Sequence, residues 1–185
     1  PYGSDDEALD DVLRLSRGMT YKSALAGLPL GGGKSVIIGD PKQDKSPALW
    51  RAMADFIDSL GGRYVAAEDS GTSVADLRTM SQHTAFVSGF AATEHGGDPS
   101  PSTAMGVFVA IRRALAHRLG ASDLQGVRVA VQGLGHVGYA LTELLVKAGA
   151  RVYASDINAA NLARAESELG VTAVAAKDIL SADVD

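Results

Sequence analysis

The chain has 185 residues, of which 46% are hydrophobic, so it can bury a core as one large domain or two small ones. Its net charge of −5 and its scattered basic residues argue against binding to nucleic acid or to an anionic membrane, and no apolar run approaches the roughly 20 residues that a membrane span needs. The sequence has no cysteine, which excludes disulfides and thiolate metal sites and suits the cytoplasm.

The first half of the chain predicts helices around a few short strands. Ser4 and Glu7 form a capping-box pattern that begins a helix with an apolar stripe, and Arg17–Gly18 is a plausible end for it. We expect strands at residues 19–27 and 35–39, on either side of a glycine turn, and a third at 63–67. Further helices are predicted to begin at Ser46 and Ser73.

The second half reads as alternating helices and parallel strands, after a Gly/Pro/Ser-rich stretch that places the domain junction near residue 89. Helices are predicted at residues 102–119, 139–148 and 158–169, and strands at 127–132, 151–155 and 171–174. Residues 182–185 are a candidate fourth strand. The fold class is therefore α/β, with domains 1–89 and 90–185, the second a partial doubly wound nucleotide-binding domain. Because the chain begins with Pro and ends without a closing helix, we expect both domains to be incomplete.

A GxGxxG turn connects the first predicted strand of the second half to its helix. Gly133 is expected to make the turn, Gly135 to let the backbone approach a pyrophosphate, and Gly138 to let helix and strand pack. Asp156 follows 23 residues after Gly133, where a carboxylate can accept hydrogen bonds from ribose hydroxyls and repel a 2′-phosphate. This predicts NAD as the cofactor, although Asp156 could instead cap the next helix. The remaining predicted cofactor contacts are His136, Val137 and Ile157.

A second motif places Lys34 directly after three glycines. The sequence Gly-Lys-Ser also ends a phosphate-binding P-loop, but that motif needs a glycine at position 28, which is Leu28, and a helix after the lysine. Residues 36–38 are Val-Ile-Ile, a poor helix start, so a P-loop phosphotransferase is disfavoured. Lys22 lies twelve residues earlier, within reach of the same spot if the chain folds back as a hairpin. The four histidines show no metal-binding spacing, and no metal site is predicted.

Four segments in combination resemble the Glu/Leu/Phe/Val dehydrogenase family over essentially the whole chain, most closely its leucine-specific members. They are residues 19–22, 31–34, 68–72 and 99–103. The resemblance implies that Lys34 and Asp69 are catalytic, the lysine handling water and developing charge and the aspartate carrying a proton. It also implies that Lys22, Gly31 and Gly32 bind the substrate carboxylate, that Met19 and Ala67 lie near its side chain, and that Thr103 binds the nicotinamide amide.

The activity implied by this resemblance is reversible NAD-dependent deamination of a branched-chain L-amino acid, leucine or valine, to a 2-oxo acid and ammonia. Phenylalanine or glutamate dehydrogenation within the same family remains an alternative, as does a non-catalytic NAD-binding module. The full-length protein is expected to form a homo-oligomer, and the 185-residue chain alone is expected to be inactive.

Overall fold

The computed structural model describes residues 2–90, 97–121 and 123–185. The chain divides into two compact units, residues 1–98 and 99–185. No helix in the described part of the chain is long and apolar enough to cross a membrane.

The described residues of the first unit form three helices: α1 at Asp5–Leu25, α2 at Pro47–Ser59 and α3 at Val74–Met80. Each begins at a serine whose side chain accepts a backbone N–H of the first turn, as the sequence predicts. In α3 the capping box is reciprocal, since the Asp76 carboxylate also accepts from the backbone N–H of Ser73. The core of this unit lies between α2 and α3 and the loops around them, and its members are Trp50, Ala54, Ile57, Ala66, Leu77, Met80 and Val87.

The three strands predicted in this unit are wrong. Residues 19–25 continue α1 past Gly18, and residues 35–39 have no regular structure. Of the strand at 63–67 only one isolated parallel bridge exists, between Ala66 and Val87. A strand needs a partner for its backbone groups, and within residues 2–90 that bridge is the only β pairing described. The good helix formers in residues 19–25 therefore favour extending α1.

The apolar stripe of α1 is largely exposed. Leu9 is 55% exposed and Leu13 is 60% exposed, and of the stripe only Ala8 is buried. The core of this unit therefore covers little of the stripe.

The second unit has a three-stranded parallel sheet in the order β1-β2-β3, with strands at Arg128–Gln132, Arg151–Ser155 and Thr172–Ala173. Arg128 pairs with Arg151 and Gln132 with Ser155, so β1 and β2 end level with each other. The helices are α4 at Ser100–Leu119, α5 at His136–Lys147 and α6 at Ala159–Leu169, followed by a short 3-10 helix at Ile179–Ser181. Leu145, Val152 and Ala154 belong to the core between the sheet and these helices.

These elements confirm the predicted alternation of strands and helices in this half, and α5 begins three residues earlier than predicted. The candidate strand at 182–185 is not formed. Asp185 nevertheless donates its backbone N–H to the carbonyl of Arg128, and its carboxylate accepts from the backbone N–H of Arg128. The chain therefore runs beside β1 without completing a ladder.

Candidate functional site

Lys34 and Asp69 form an ion pair, although they are 35 residues apart in sequence. The lysine side chain is 22% exposed and the aspartate side chain 52% exposed. Two hydrogen bonds shape the turn around Asp69: its backbone N–H donates to the Thr72 hydroxyl, and its carboxylate accepts from the N–H of Ser70. The carboxylate is thereby held at the start of the loop that leads to α3.

Besides partial burial, the charge of Lys22 lowers the pKa of Lys34, although the hairpin expected to bring the two lysines together is not formed. It lies in the last turn of α1, and the Gly32 N–H donates to the Thr20 hydroxyl at 3.0 Å, so the glycine segment returns along this helix. Partial burial, and secondly the charge of Lys22, lower the pKa of Lys34. A helix followed by a returning loop, rather than a hairpin, therefore brings Lys22 close enough to affect Lys34.

The glycines before Lys34 allow close packing. A Cβ on Gly32 would lie 2.0 Å from the carbonyl oxygen of Ser16 in α1, and one on Gly33 would lie 2.7 Å from the ring of Tyr64. Gly31 has open space around it. Two of the three glycines are therefore required for packing, whatever their role toward a ligand.

The assigned pocket residues are less constrained. Met19 is half-buried on α1, and Ala67 is exposed beside the buried Ala66. The structure adds no interaction that joins them to the Lys34–Asp69 pair, and their role remains a prediction. Sequence reasoning missed Thr20 and Tyr64, whose contacts become evident only when the loop is folded against α1 and the core.

No helix follows Lys34, because the next helix begins at Pro47. A P-loop needs a helix N-terminus at that place to hold phosphate, so this geometry gives it no support. Within residues 2–90, 97–121 and 123–185 there is also no group of three or more His, Asp or Glu side chains that could hold a metal ion.

In the second unit, the GxGxxG turn lies between β1 and α5. Gly133 has φ +90°, in the region that favours glycine, and its N–H donates to the carbonyl of Ser155. A Cβ on Gly138 would lie 1.9 Å from the Gly133 carbonyl oxygen, whereas one on Gly135 would meet nothing within 4 Å. Gly133 therefore makes the turn, Gly138 permits the packing, and Gly135 leaves open space.

Two further features concern the residues on either side of this turn. No side chain caps the N-terminus of α5, so its first N–H groups are available to an anion. Ile157, directly after Asp156, is 99% exposed. His136 and Val137 form the first residues of α5. Thr103 lies in the first turn of α4, next to Ala104, which shares a buried cluster with Leu134 of the turn.

Asp156 has a structural role in this unit. Its carboxylate accepts the N–H of Leu134 at 2.5 Å and that of Asn158 at 2.6 Å. These hydrogen bonds, Asn158 first and Leu134 second, lower the pKa of Asp156, so it is ionised in the folded chain. The cap of α6 is Asn158, whose side chain accepts from Ala160. The role of Asp156 toward ribose hydroxyls stays a prediction.

Parallel strands, a glycine turn leading into an uncapped helix and a carboxylate at the end of the next strand define the doubly wound dinucleotide-binding class of folds. The other unit carries a half-buried lysine paired with an aspartate. The chain belongs to the Glu/Leu/Phe/Val dehydrogenase family. Residues 3–86 match the model for its dimerisation domain, and residues 97–177 match the Glutamate/Leucine/Phenylalanine/Valine dehydrogenase model.

Individual relatives agree with this membership. A leucine dehydrogenase of Geobacillus stearothermophilus is 50% identical over 186 residues, covering 100% of this chain and 50% of the relative. A phenylalanine dehydrogenase of Lysinibacillus sphaericus is 47% identical over 191 residues, with the same coverage. The crystal structure of an L-tryptophan dehydrogenase from Nostoc punctiforme matches with a TM-score of 0.67 and 42% identity, covering 100% of this chain and 51% of that one. The chain thus spans about half the length of the relatives it matches.

Proposed function

We propose that this chain is part of an NAD-dependent amino-acid dehydrogenase that reversibly converts a branched-chain L-amino acid, water and NAD⁺ to a 2-oxo acid, ammonia and NADH. The observation that carries the proposal is the pairing of Lys34 with Asp69 in a partly buried place where Lys22 adds a second positive charge. A lysine in that setting can exchange a proton closer to neutral pH than a solvated lysine can.

The three side chains divide the chemistry of deamination. Lys22 holds the substrate α-carboxylate by charge-assisted hydrogen bonds, with the backbone of Gly31 and Gly32 alongside. When bound, the cofactor would supply the acceptor for the hydride that leaves Cα. Asp69 takes a proton from the substrate ammonium group, so that the nitrogen lone pair can form the imine as the hydride leaves. Lys34, in its neutral form, takes a proton from the water that adds to the imine carbon. Asp69 then returns its proton to the nitrogen, the C–N bond breaks and ammonia leaves, and the hydroxyl group releases its proton to solvent as the 2-oxo acid forms.

NAD is proposed over NADP because Asp156 is ionised and lies at the end of β2. The Asp156 carboxylate would repel the 2′-phosphate of NADP, whereas the ribose hydroxyls of NAD can donate hydrogen bonds to it. The phosphates would lie at the N-terminus of α5, near Gly135, His136 and Val137. Ile157 would cover the adenine, and Thr103 would bind the nicotinamide amide.

Leucine or valine is the proposed substrate, phenylalanine the second choice and glutamate the third. Met19 and Ala67 are apolar, which suits an aliphatic substrate side chain. The leucine dehydrogenase and the phenylalanine dehydrogenase described above have similar sequence identity to this chain, 50% and 47%. A homo-oligomer is proposed from the dimerisation domain that the first unit matches and from the exposed leucines of α1. A cytoplasmic location is supported by the lack of cysteine in the sequence.

The test needs a completed enzyme, in which this chain replaces the matching half of the Geobacillus stearothermophilus leucine dehydrogenase. Lys22→Ala should raise KM by roughly 10- to 150-fold, the range for a charge-assisted bond of about 1.5–3 kcal/mol. Lys34→Ala should lower kcat by about 10²-fold or more with less effect on KM, because its charge is needed only as the reaction proceeds. Arginine at position 34 should not restore kcat, since it does not release its proton near neutral pH.

Lys42→Ala is the matched control, because Lys42 is an exposed lysine of the same unit and is not assigned to the site. A completed enzyme that binds NAD but deaminates no amino acid would favour the non-catalytic module. Near-normal kcat in Lys34→Ala together with a lost kcat in Lys22→Ala would mean that the two roles are exchanged. The 185-residue chain by itself should show no turnover.

A further inference from the structure

The segment that carries Lys34 is weakly attached to the rest of its unit. Residues 29–39 have no regular secondary structure, and no backbone-to-backbone hydrogen bond joins them to one another or to any other residue that the structure describes. Two of its attachments are already described, from Gly32 to Thr20 and from Lys34 to Asp69. Neither reaches the buried core of the unit, so some other contact must fix the position of the lysine.

Tyr64 supplies that contact on both sides of Lys34. On one side, its ring lies against Gly33, so closely that a Cβ there would be 2.7 Å from the ring. On the other side, its hydroxyl lies 3.0 Å from the Ser35 hydroxyl, within hydrogen-bond distance. The residues immediately before and after the lysine are therefore held by one side chain.

Tyr64 is itself anchored. It is half-buried and packs against the core cluster that contains Trp50 and Ile57. Two residues further on, the backbone of Ala66 is hydrogen-bonded to Phe86 and Ser88, which fixes the segment that leads to Asp69. One short stretch of chain thus presents both the ring that holds the Lys34 backbone and the carboxylate that pairs with the Lys34 side chain.

We propose that Tyr64 is a positioning residue for Lys34, connecting the glycine segment to the core so that the lysine amine stays partly buried beside Asp69. The proposal rests on the proposed function only for its kinetic consequence. A lysine side chain is a flexible chain of four carbons, so the backbone before and after Lys34 must be fixed to keep its amine in one place. Without the Tyr64–Ser35 hydrogen bond the segment can move outward, and water can reach the amine.

The test is a titration of Lys34 in the 185-residue chain, followed by the ¹³C shift of its Cε and assigned with Lys34→Arg. Because burial lowers the pKa of this amine, Tyr64→Phe should raise it by about half a unit, making the amine roughly threefold more protonated relative to its neutral form. Ser35→Ala should raise the pKa of Lys34 by the same amount. The double variant should raise it no further, because both single variants and the double variant remove the same hydrogen bond, between Tyr64 and Ser35. Tyr21→Phe is the control, since Tyr21 is 61% exposed, and it should change nothing.

A second measurement uses the completed enzyme. Tyr64→Phe should lower kcat by roughly 3- to 10-fold with KM within about twofold, and should have no further effect when Lys34 is already alanine. If Tyr64→Phe and Ser35→Ala leave the pKa of Lys34 unchanged, Tyr64 is only a core residue and the proposal is wrong. If the completed enzyme deaminates no amino acid, the proposed function fails, and the titration still decides whether Tyr64 positions Lys34.

Discussion

Replacing Gly138 with alanine should destabilise the second unit strongly, and the structure allows the size of the effect to be worked out. The new Cβ would lie 1.9 Å from the carbonyl oxygen of Gly133 and 2.9 Å from its carbonyl carbon, both backbone atoms. Gly133 cannot easily move away, because its N–H is hydrogen-bonded to Ser155 in the neighbouring strand. We therefore expect a cost near the upper end of the overpacking range, about 3 kcal/mol.

The neighbouring glycines provide matched comparisons. Gly133→Ala meets no atom within 4 Å but needs φ +90°, so it should cost roughly 1–2 kcal/mol in strain alone. Gly135 has φ −67°, which alanine adopts without strain, and open space around it, so Gly135→Ala should leave stability within about 0.5 kcal/mol. If a pyrophosphate approaches Gly135, however, that same methyl group should weaken NAD binding by about tenfold or more, equivalent to roughly 1.4 kcal/mol.

Two assays separate these effects. Thermal unfolding by circular dichroism should show Gly138→Ala lowering Tm by roughly 6–12 °C, at about 2–4 °C for each kcal/mol. Hydrogen exchange of residues 128–155 should assign the loss to the second unit, and NAD binding should be measured by calorimetry in the completed enzyme. An unchanged Tm for Gly138→Ala, or a loss of stability for Gly135→Ala as large as that for Gly138→Ala, would refute the reasoning.

Three other predictions concern charged groups. The completed enzyme should use NAD in preference to NADP by a wide margin, and Asp156→Ser should narrow that margin while exposing the Leu134 N–H to faster hydrogen exchange; equal use of both cofactors by the unmutated enzyme would contradict the assignment. Lys22→Ala should raise the pKa of Lys34, because it removes the positive charge that helps to lower it, so the ionisation in the kcat/KM profile should move to higher pH; a shift to lower pH would argue against their proximity. Partial burial at Asp76 opposes the hydrogen bonds from Lys45 and Ser73, but the hydrogen bonds prevail and lower the pKa of Asp76 below its ordinary value. The stability that they contribute should be complete above the ordinary pKa of an aspartate and lost as pH falls through the lower folded-state pKa. Chemical unfolding of Asp76→Asn between about pH 6 and 2 should lack that acid-dependent loss.

Local signals in the sequence determined much of the second unit and the starts of the helices in the first. Serine caps before α1, α2 and α3 act within one turn, so they could be read without knowing any distant contact. The GxGxxG turn is equally local: the φ of Gly133 and the closeness of Gly138 to it follow from the spacing alone.

Tertiary structure decided the rest, because it depended on partners far away in sequence. Residues 19–25 have apolar and polar positions that suit either a strand or a helix. They form a helix because residues 2–90 offer no strand for them to pair with. Several contacts join residues that are between 22 and 35 positions apart in sequence. They are the Lys34–Asp69 pair, the hydrogen bond from Leu134 to Asp156, and the contacts of Tyr64 with Gly33 and Ser35. No periodicity encodes such contacts, since they form only when loops of irregular backbone are packed against a core.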